Sequence, residues 1–407
     1  MVSAERRIRT IPGALGFVLL GITATEPATV YAQEITIGGQ IRPRYETRDP
    51  APSEGREAFV SMRSRLRVSA ELERGVRVLL QVQDVRIWGE EESTLGDFSA
   101  ENFDLHQGYA EIDVGAEKVA QIRVGRQEMR LAGERLVGAV DWTQQGRSFN
   151  GVRALLRPGW GSVDLFGFRL RDSSATNSDE DVDFLGAYAV VDLPVGGTVD
   201  LYSLYNRARG TTRSDQGTFG ARWEGAGPEW NHRIDASYQT GTREGLDADA
   251  FMVGARLGRR IANGLGAVSL WYDYLSGDRR SGEGRSGTFD TLFATNHKYY
   301  GHADLFLDIP LHTAGRGLQN FAIKLSLTPS DAVTAGLDLH AFRMAEVGDL
   351  DSSRLGEEID LAIGYRYTSS LSVTGGASYV FQQEGWARID RLHRDLLFGF
   401  LMLDVQF

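Results

Sequence analysis

From Ile35 onward, apolar and polar residues change places at almost every step. In "EITIGGQIRPRYE", Ile35, Ile37, Ile41 and Tyr45 fall on one side of an extended chain, and Gln40, Arg42, Arg44 and Glu46 on the other. "EWNHRIDASYQTG" separates Trp230, His232, Ile234, Ala236 and Tyr238 from Asn231, Arg233, Asp235, Ser237 and Gln239. "EEIDLAIGYRYTSS" sets Ile359, Leu361, Ile363, Tyr365 and Tyr367 opposite Asp360, Gly364 and Arg366. Successive side chains leave a strand on opposite faces, so this period of two predicts β-strands. No long stretch repeats with the helical period. Counting such runs predicts about eighteen strands, the first near 35–46 and the last near 395–407.

The connections add a second pattern. After even-numbered strands they are short, as in "ERG" at Glu73, "RPGW" at Arg157, "TPSD" at Thr328 and "TSS" at Thr368. After odd-numbered strands they are expected to be longer and polar, the longest running from about Gly277 to Arg316. Short turns on one rim and long loops on the other characterise outer-membrane barrels, and an even strand count brings both ends of the chain to the short-turn rim. The chain closes on "FLMLDVQF", with Leu401, Leu403, Val405 and Phe407 on one face. The expected fold is therefore all-β, a transmembrane antiparallel β-barrel of the outer-membrane type.

Two features at the N-terminus and in the composition fit that setting. Arg6, Arg7 and Arg9 precede the apolar run "IPGALGFVLLGI", and Val30 and Ala32 stand at −3 and −1 of a cleavage site. Residues 1–32 thus read as a secretory signal peptide, leaving 33–407 as the barrel in the outer membrane of a Gram-negative-type cell. The chain has no cysteine, which excludes disulfides and thiolate metal sites, and a net charge of −11 argues against nucleic acid as a partner.

In "SMRSRLRVSAELERGVRVLLQVQ", Arg63, Arg65 and Arg67 fall on every second residue, with Met62, Leu66 and Val68 between and beside them. An arginine facing lipid at the bilayer midplane costs about 2–4 kcal/mol, so the arginines are expected to face the lumen and their apolar neighbours the lipid. The same parity turns Arg42, Arg44, Arg77, Arg123 and Arg153 inward. It does likewise for Arg222, Arg233, Arg256 and Arg366. Glu71, Glu111, Asp235, Asp273, Asp338 and Asp360 share that face. Tyr45, Trp230, Tyr272, Tyr274, Tyr365, Tyr367 and Tyr379 point outward as interfacial aromatics. Arginine outnumbers lysine 41 to 3. Guanidinium forks pair bidentately with carboxylates and phosphates, so these positions are the candidate substrate-binding, pore-lining residues for an anion. Part of the set is expected to pair with the inward carboxylates and stiffen the wall.

"HQGYAEI", "QIRVGRQEM" and above all "RLVGAVDWTQQGRSFNGVRALL" (Arg135 to Leu156) resemble the alginate-export family of outer-membrane barrels. "YDYLSGD" and "TFDTLFATNHKYYGHADLF" are similar to later signatures of that family. The resemblance implies an eighteen-stranded monomeric barrel with an electropositive pore. Its implied partners are outer-membrane lipid, an anionic poly- or oligosaccharide such as alginate, and a periplasmic export scaffold. The turn from Tyr367 to Leu371 is minimal, whereas the alginate exporter carries a long plugging turn there. Export of a polyuronate and passive diffusion of small anions therefore both stand as readings. A barrel enzyme is a third, but no GxSxG or HExxH occurs, and no catalytic residue, cofactor or metal is expected. A barrel whose loops block its lumen is a fourth. Loop Gly277–Arg316 is read either as a solvated surface loop or as an inward-folding constriction.

Overall fold

The computed structural model describes residues 34–407 except 52–54, 91–102, 116, 118, 177–179, 195, 211–212, 262–263 and 280–283. The expected signal peptide lies outside the described residues. Eighteen strands form one wall: β1 (Glu34–Asp49), β2 (Glu57–Glu71), β3 (Val76–Ile87), β4 (Phe103–Val114), β5 (Ala120–Gln127) and β6 (Phe149–Leu156). They continue as β7 (Gly161–Arg171), β8 (Asp181–Asp192), β9 (Thr198–Arg209), β10 (Ser214–Ala226), β11 (Trp230–Arg243) and β12 (Leu246–Ile261). The last six are β13 (Gly266–Leu275), β14 (Leu318–Ser330), β15 (Val333–Arg343), β16 (Arg354–Arg366), β17 (Leu371–Gln382) and β18 (Leu396–Gln406). Each pairs antiparallel with its sequence neighbours, and β1 pairs with β18 from Gln40↔Gln406 to Asp49↔Leu397, which closes the barrel. Closure leaves no edge strand, the condition for a sheet in lipid.

The faces follow the predicted parity. Arg63 and Arg65 are buried while Leu66 and Val68 are exposed. Every strand presents at least one exposed large apolar side chain outward, from Ile37 on β1 through Leu270 on β13 to Leu401 on β18. Soluble proteins rarely expose apolar patches beyond a few hundred Å², so this unbroken belt identifies lipid as the outer solvent. Tyr45, Trp230, Tyr365, Tyr367 and Tyr379 are exposed on it.

One expectation about the connections fails. β11 and β12 are joined on the long-loop rim by Glu244 and Gly245 alone. Both strands extend beyond the alternating stretch because glutamate at φ 52° and glycine at φ 83° make a tight turn possible. Alternation marks the membrane-crossing part of a strand, whereas pairing continues past it into water.

Candidate functional site

The interior is not an empty conduit. The β5–β6 connection (128–148, the strap) and, from the longer β13–β14 connection, residues 288–309 fold into the lumen. Met129, Leu131, Leu136 and Val137 of the strap are buried, as are Phe289, Tyr300, Phe306 and Ile309 of the longer loop. Near the long-loop rim the inward wall positions change from charged to aromatic: Asp164 gives way to Phe166 and Phe168 on β7, joined by Phe149 and Phe184. Loops carrying that much apolar surface gain more by covering this ring than by standing in water. The two loops also bond to each other. Gly138 N–H donates to the Phe293 carbonyl at 2.8 Å and Phe293 N–H to that of Leu136 at 2.9 Å. Lys298 Nζ lies 2.7 Å from Glu134 Oε1.

The arginine row of β1 and β2 holds the strap. Arg42 sits directly across from Arg63 in the ladder and Gln40 across from Arg65, so like charges are crowded. A guanidinium has five donors and no acceptor, and the strap supplies the acceptors. Arg42 donates through Nε to Gln144 Oε1 at 3.0 Å and through Nη2 to the Thr143 carbonyl at 3.0 Å. Arg44 donates to the Trp142 carbonyl at 2.5 Å, and its guanidinium lies 4.1 Å from the centre of the Trp142 ring. Arg63 pairs with Asp141 at 3.1 Å, and Arg65 reaches the Gln145 carbonyl at 3.2 Å and Glu128 at 3.5 Å. Asp141 also lies 3.9 Å from both Arg42 and Arg65. Burial works against ionisation of the Asp141 carboxyl, but Arg63, Arg42 and Arg65 outweigh it and hold its pKa below the ordinary value. Glu128 is likewise held low: the His106 bond and Arg130 overcome the effect of burial.

The remaining predicted arginines divide. Arg77 and Arg123 share Glu111 at 2.7 and 2.5 Å, and Arg153 pairs with Asp164 at 2.5 Å. Arg222 pairs with Glu224, Arg233 with Asp235 at 2.8 Å, and Arg256 donates to Asn231 at 2.5 Å. These form the stiffening ladders expected from the inward carboxylates. Arg366 has inward parity but is exposed at the short-turn end, donating to the Asp331 carbonyl; it lies away from the constriction because β16 runs out at that residue. Arg67 is exposed, and its side chain makes no hydrogen bond or ion pair among the described residues.

What stays open beside the strap is a cavity of about 330 Å³ lined by Gln40, Arg63, Arg65, Arg67, Gln81, Gln107, Glu128, Arg130 and Asp141. Four guanidinium side chains face two carboxylate side chains there, and neutral amides, Gly38, Gly39 and Phe407 share the lining. A second cavity of about 290 Å³, between Gln83, Asp104, His106, Arg126 and Gln145, lies toward the long-loop rim. The sequence reading missed Glu128, Arg130, Asp141 and Trp142. The one signal available was "VDWTQQGR", a connection too rich in hydrogen-bonding and aromatic groups for a plain turn.

Comparison with known proteins gives the same architecture. The family described as alginate export matches residues 33–382. OpdO of Pseudomonas aeruginosa is 15% identical, with a TM-score of 0.66 over 92% of this chain and 98% of that one. OccK2 (OpdF) of the same organism, solved in complex with glucuronate, is 12% identical with a TM-score of 0.61 over 93% and 99%. OccAB4 of Acinetobacter baumannii is 9% identical with a TM-score of 0.63 over 92% and 98%. At such identities the likeness is one of fold. No curated protein sequence matches the chain.

Proposed function

Because this chain belongs to the alginate-export family and is an outer-membrane β-barrel channel, we propose that it conducts small acidic saccharides, uronates and their short oligomers, by diffusion past the strap. The observation that carries this reading is the cavity beside the strap, where Arg63, Arg65, Arg67 and Arg130 outnumber Glu128 and Asp141. Among the described residues the Arg67 side chain has no partner, and a guanidinium so placed can take a carboxylate in a bidentate pair. Gln40, Gln81 and Gln107 offer both donors and acceptors to sugar hydroxyls.

Size and topology support diffusion over export of a polymer. A cavity of about 330 Å³ is at the lower end of the ~300–1,000 Å³ usual for small-molecule sites. The β16–β17 turn spans only residues 367–370, too few to serve as a plug or as a dock for an export scaffold. Glucuronate in the OccK2 (OpdF) structure supports a uronate as the solute class for a barrel of this shape. Non-enzymatic transport also fits the lumen, where Arg42, Arg44, Arg63 and Arg65 hold the strap and Arg77, Arg123, Arg153 and Arg233 pair with wall carboxylates.

Proteoliposome swelling tests the proposal. Glucuronate should enter faster than glucose, a neutral sugar of similar size, and Arg67→Gln should narrow the difference. Equal rates for the two sugars in the unmodified protein would refute it.

A further inference from the structure

Beside the strap, the longer inward loop meets the wall at a cluster that the transport reading does not use. His302 of that loop, Asp338 on β15 and Asp360 on β16 bring donor atoms within 4.8 Å of one another. His340 on β15 and Glu358 on β16 adjoin them, with His340 Nε2 at 3.9 Å from Asp360 Oδ2. His340, Glu358 and Asp360 are only 3%, 0% and 1% exposed. Yet His302 Nδ1, His340 Nε2, Glu358 Oε2 and Asp360 Oδ1 are buried without a hydrogen-bond partner among the described residues. Buried polar atoms are nearly always satisfied, so four orphans in one place call for a missing partner.

Bookkeeping of donors identifies its sign. Asn320 Nδ2 donates to the Tyr299 carbonyl at 3.3 Å, which turns Asn320 Oδ1 toward His340 Nδ1 at 2.9 Å. His340 must therefore carry its proton on Nδ1 and present a bare lone pair at Nε2. The backbone fixes the carboxylates in the same way: Ala303 N–H donates to Glu358 Oε1 at 2.8 Å and His302 N–H to Asp360 Oδ2 at 3.3 Å. Their other oxygens are left bare. Lone pairs facing lone pairs cannot satisfy one another; a cation can. Lys324 is bonded to Asp338 at 2.7 Å and neutralises it, leaving Asp360 and Glu358 to balance two positive charges.

We propose that His302, Asp338 and Asp360 form a site for a divalent transition-metal ion, with His340 and Glu358 facing it alongside, which clamps the inward loop to the wall. Mixed imidazole and carboxylate donors suit Zn²⁺ and ions of similar softness, whereas Ca²⁺ and Mg²⁺ favour all-oxygen shells. The Asn320 carbonyl behind His340 is the kind of outer partner that orients ligating histidines. Gly301, at φ 87°, lets the loop come this near, since a side chain there would strike the Glu358 carboxylate.

The clamp bears on the pore through a stack of planar groups. His302 stacks on His297 at 5.1 Å, and His297 on Trp142 of the strap at 4.2 Å and 7°. Arg44 covers the far face of that run from β1. Metal at one end would restrain the strap at the other.

The test uses the full barrel in detergent, stripped with chelator and titrated with Zn²⁺ by calorimetry, and with Co²⁺ by its visible absorption. One Zn²⁺ per chain is expected at micromolar affinity or tighter, undisturbed by equal Ca²⁺ or Mg²⁺, and Co²⁺ should give the intense band of a low-coordinate complex. His302→Ala, which leaves the wall untouched, should abolish that band. Asn320→Ala should weaken binding about 10–100-fold while retaining it. In planar bilayers, chelator should raise current noise and Zn²⁺ should restore the quiet state. Absence of Zn²⁺ and Co²⁺ uptake by the stripped protein, or uptake that His302→Ala leaves unchanged, would overturn the proposal; a proton shared by Glu358 and Asp360 would then account for the cluster.

Discussion

Asp141→Asn removes the charge at the centre of the strap's anchorage while keeping its shape. Asp141 lies 3.1 Å from Arg63 and 3.9 Å from each of Arg42 and Arg65. A pair near 4 Å interacts by about 1 kcal/mol in water and about 4 kcal/mol at an effective dielectric constant near 20. The Asp141 side chain is 55% exposed, which draws each contact toward the lower figure. Asparagine still accepts a bond from Arg63 and recovers part of the sum. A net loss of about 1–2 kcal/mol results, or about 5–30-fold in the ratio of seated to unseated strap. Two consequences should appear together in single-channel recordings. Strap excursions should add brief current steps, and the newly unopposed guanidinium charge should strengthen the preference for chloride over potassium. Thermal unfolding of the barrel should hardly move, because the wall ladders are untouched. A variant with the parent's noise and the parent's selectivity would refute the assigned role of the arginine row.

Acid offers a second route to the same state. The folded pKa of Asp141 is depressed, so its contribution is complete above the ordinary value of 3.8 and is lost as pH falls through the lower folded value; noise recorded against pH should stay flat from neutrality and rise only below 3.8. Leu66→Arg, on the lipid face, should destabilise the barrel by about 2–4 kcal/mol in urea unfolding, whereas Arg65→Leu should assemble normally; equal effects would mean the faces are inverted. Gly146→Val should unseat the strap, because Gly146 has φ 67° and a Cβ would lie 2.8 Å from Arg65 Nη2; a variant with unaltered noise would count against the close approach.

Much of the wall was legible because lipid outside and water inside impose a strict alternation. Arg63, Arg65 and Arg67 could face only one way, and their parity propagated through the ladder to Arg42, Arg123 and Arg233. The fate of each arginine was less legible. Whether a guanidinium pairs with a carboxylate across the ladder, as Arg153 does with Asp164, or with a loop carbonyl, as Arg44 does with Trp142, depends on neighbours distant in sequence. The strap escaped notice partly because several of its anchors are main-chain carbonyls, those of Trp142, Thr143 and Gln145, which no residue type announces. Of the two readings of loop 277–316, its described residues support the inward constriction, since Phe289, Tyr300 and Phe306 are buried inside the barrel. The cluster around His302 and Asp360 joins three segments and has no local motif.

In the proposed function, guanidiniums beside the strap make an acidic protein select for anions. Low-dielectric walls focus a local field whatever the net charge of −11, and salt weakens it as the Debye length falls from about 10 Å at 0.1 M to about 3 Å at 1 M. The most direct test is the reversal potential of the unmodified channel in a planar bilayer under a potassium chloride gradient. The account predicts a potential of the sign set by chloride, shrinking at high salt and shrinking again when Arg63, Arg65 and Arg67 become glutamine. A potential of the sign set by potassium would contradict it.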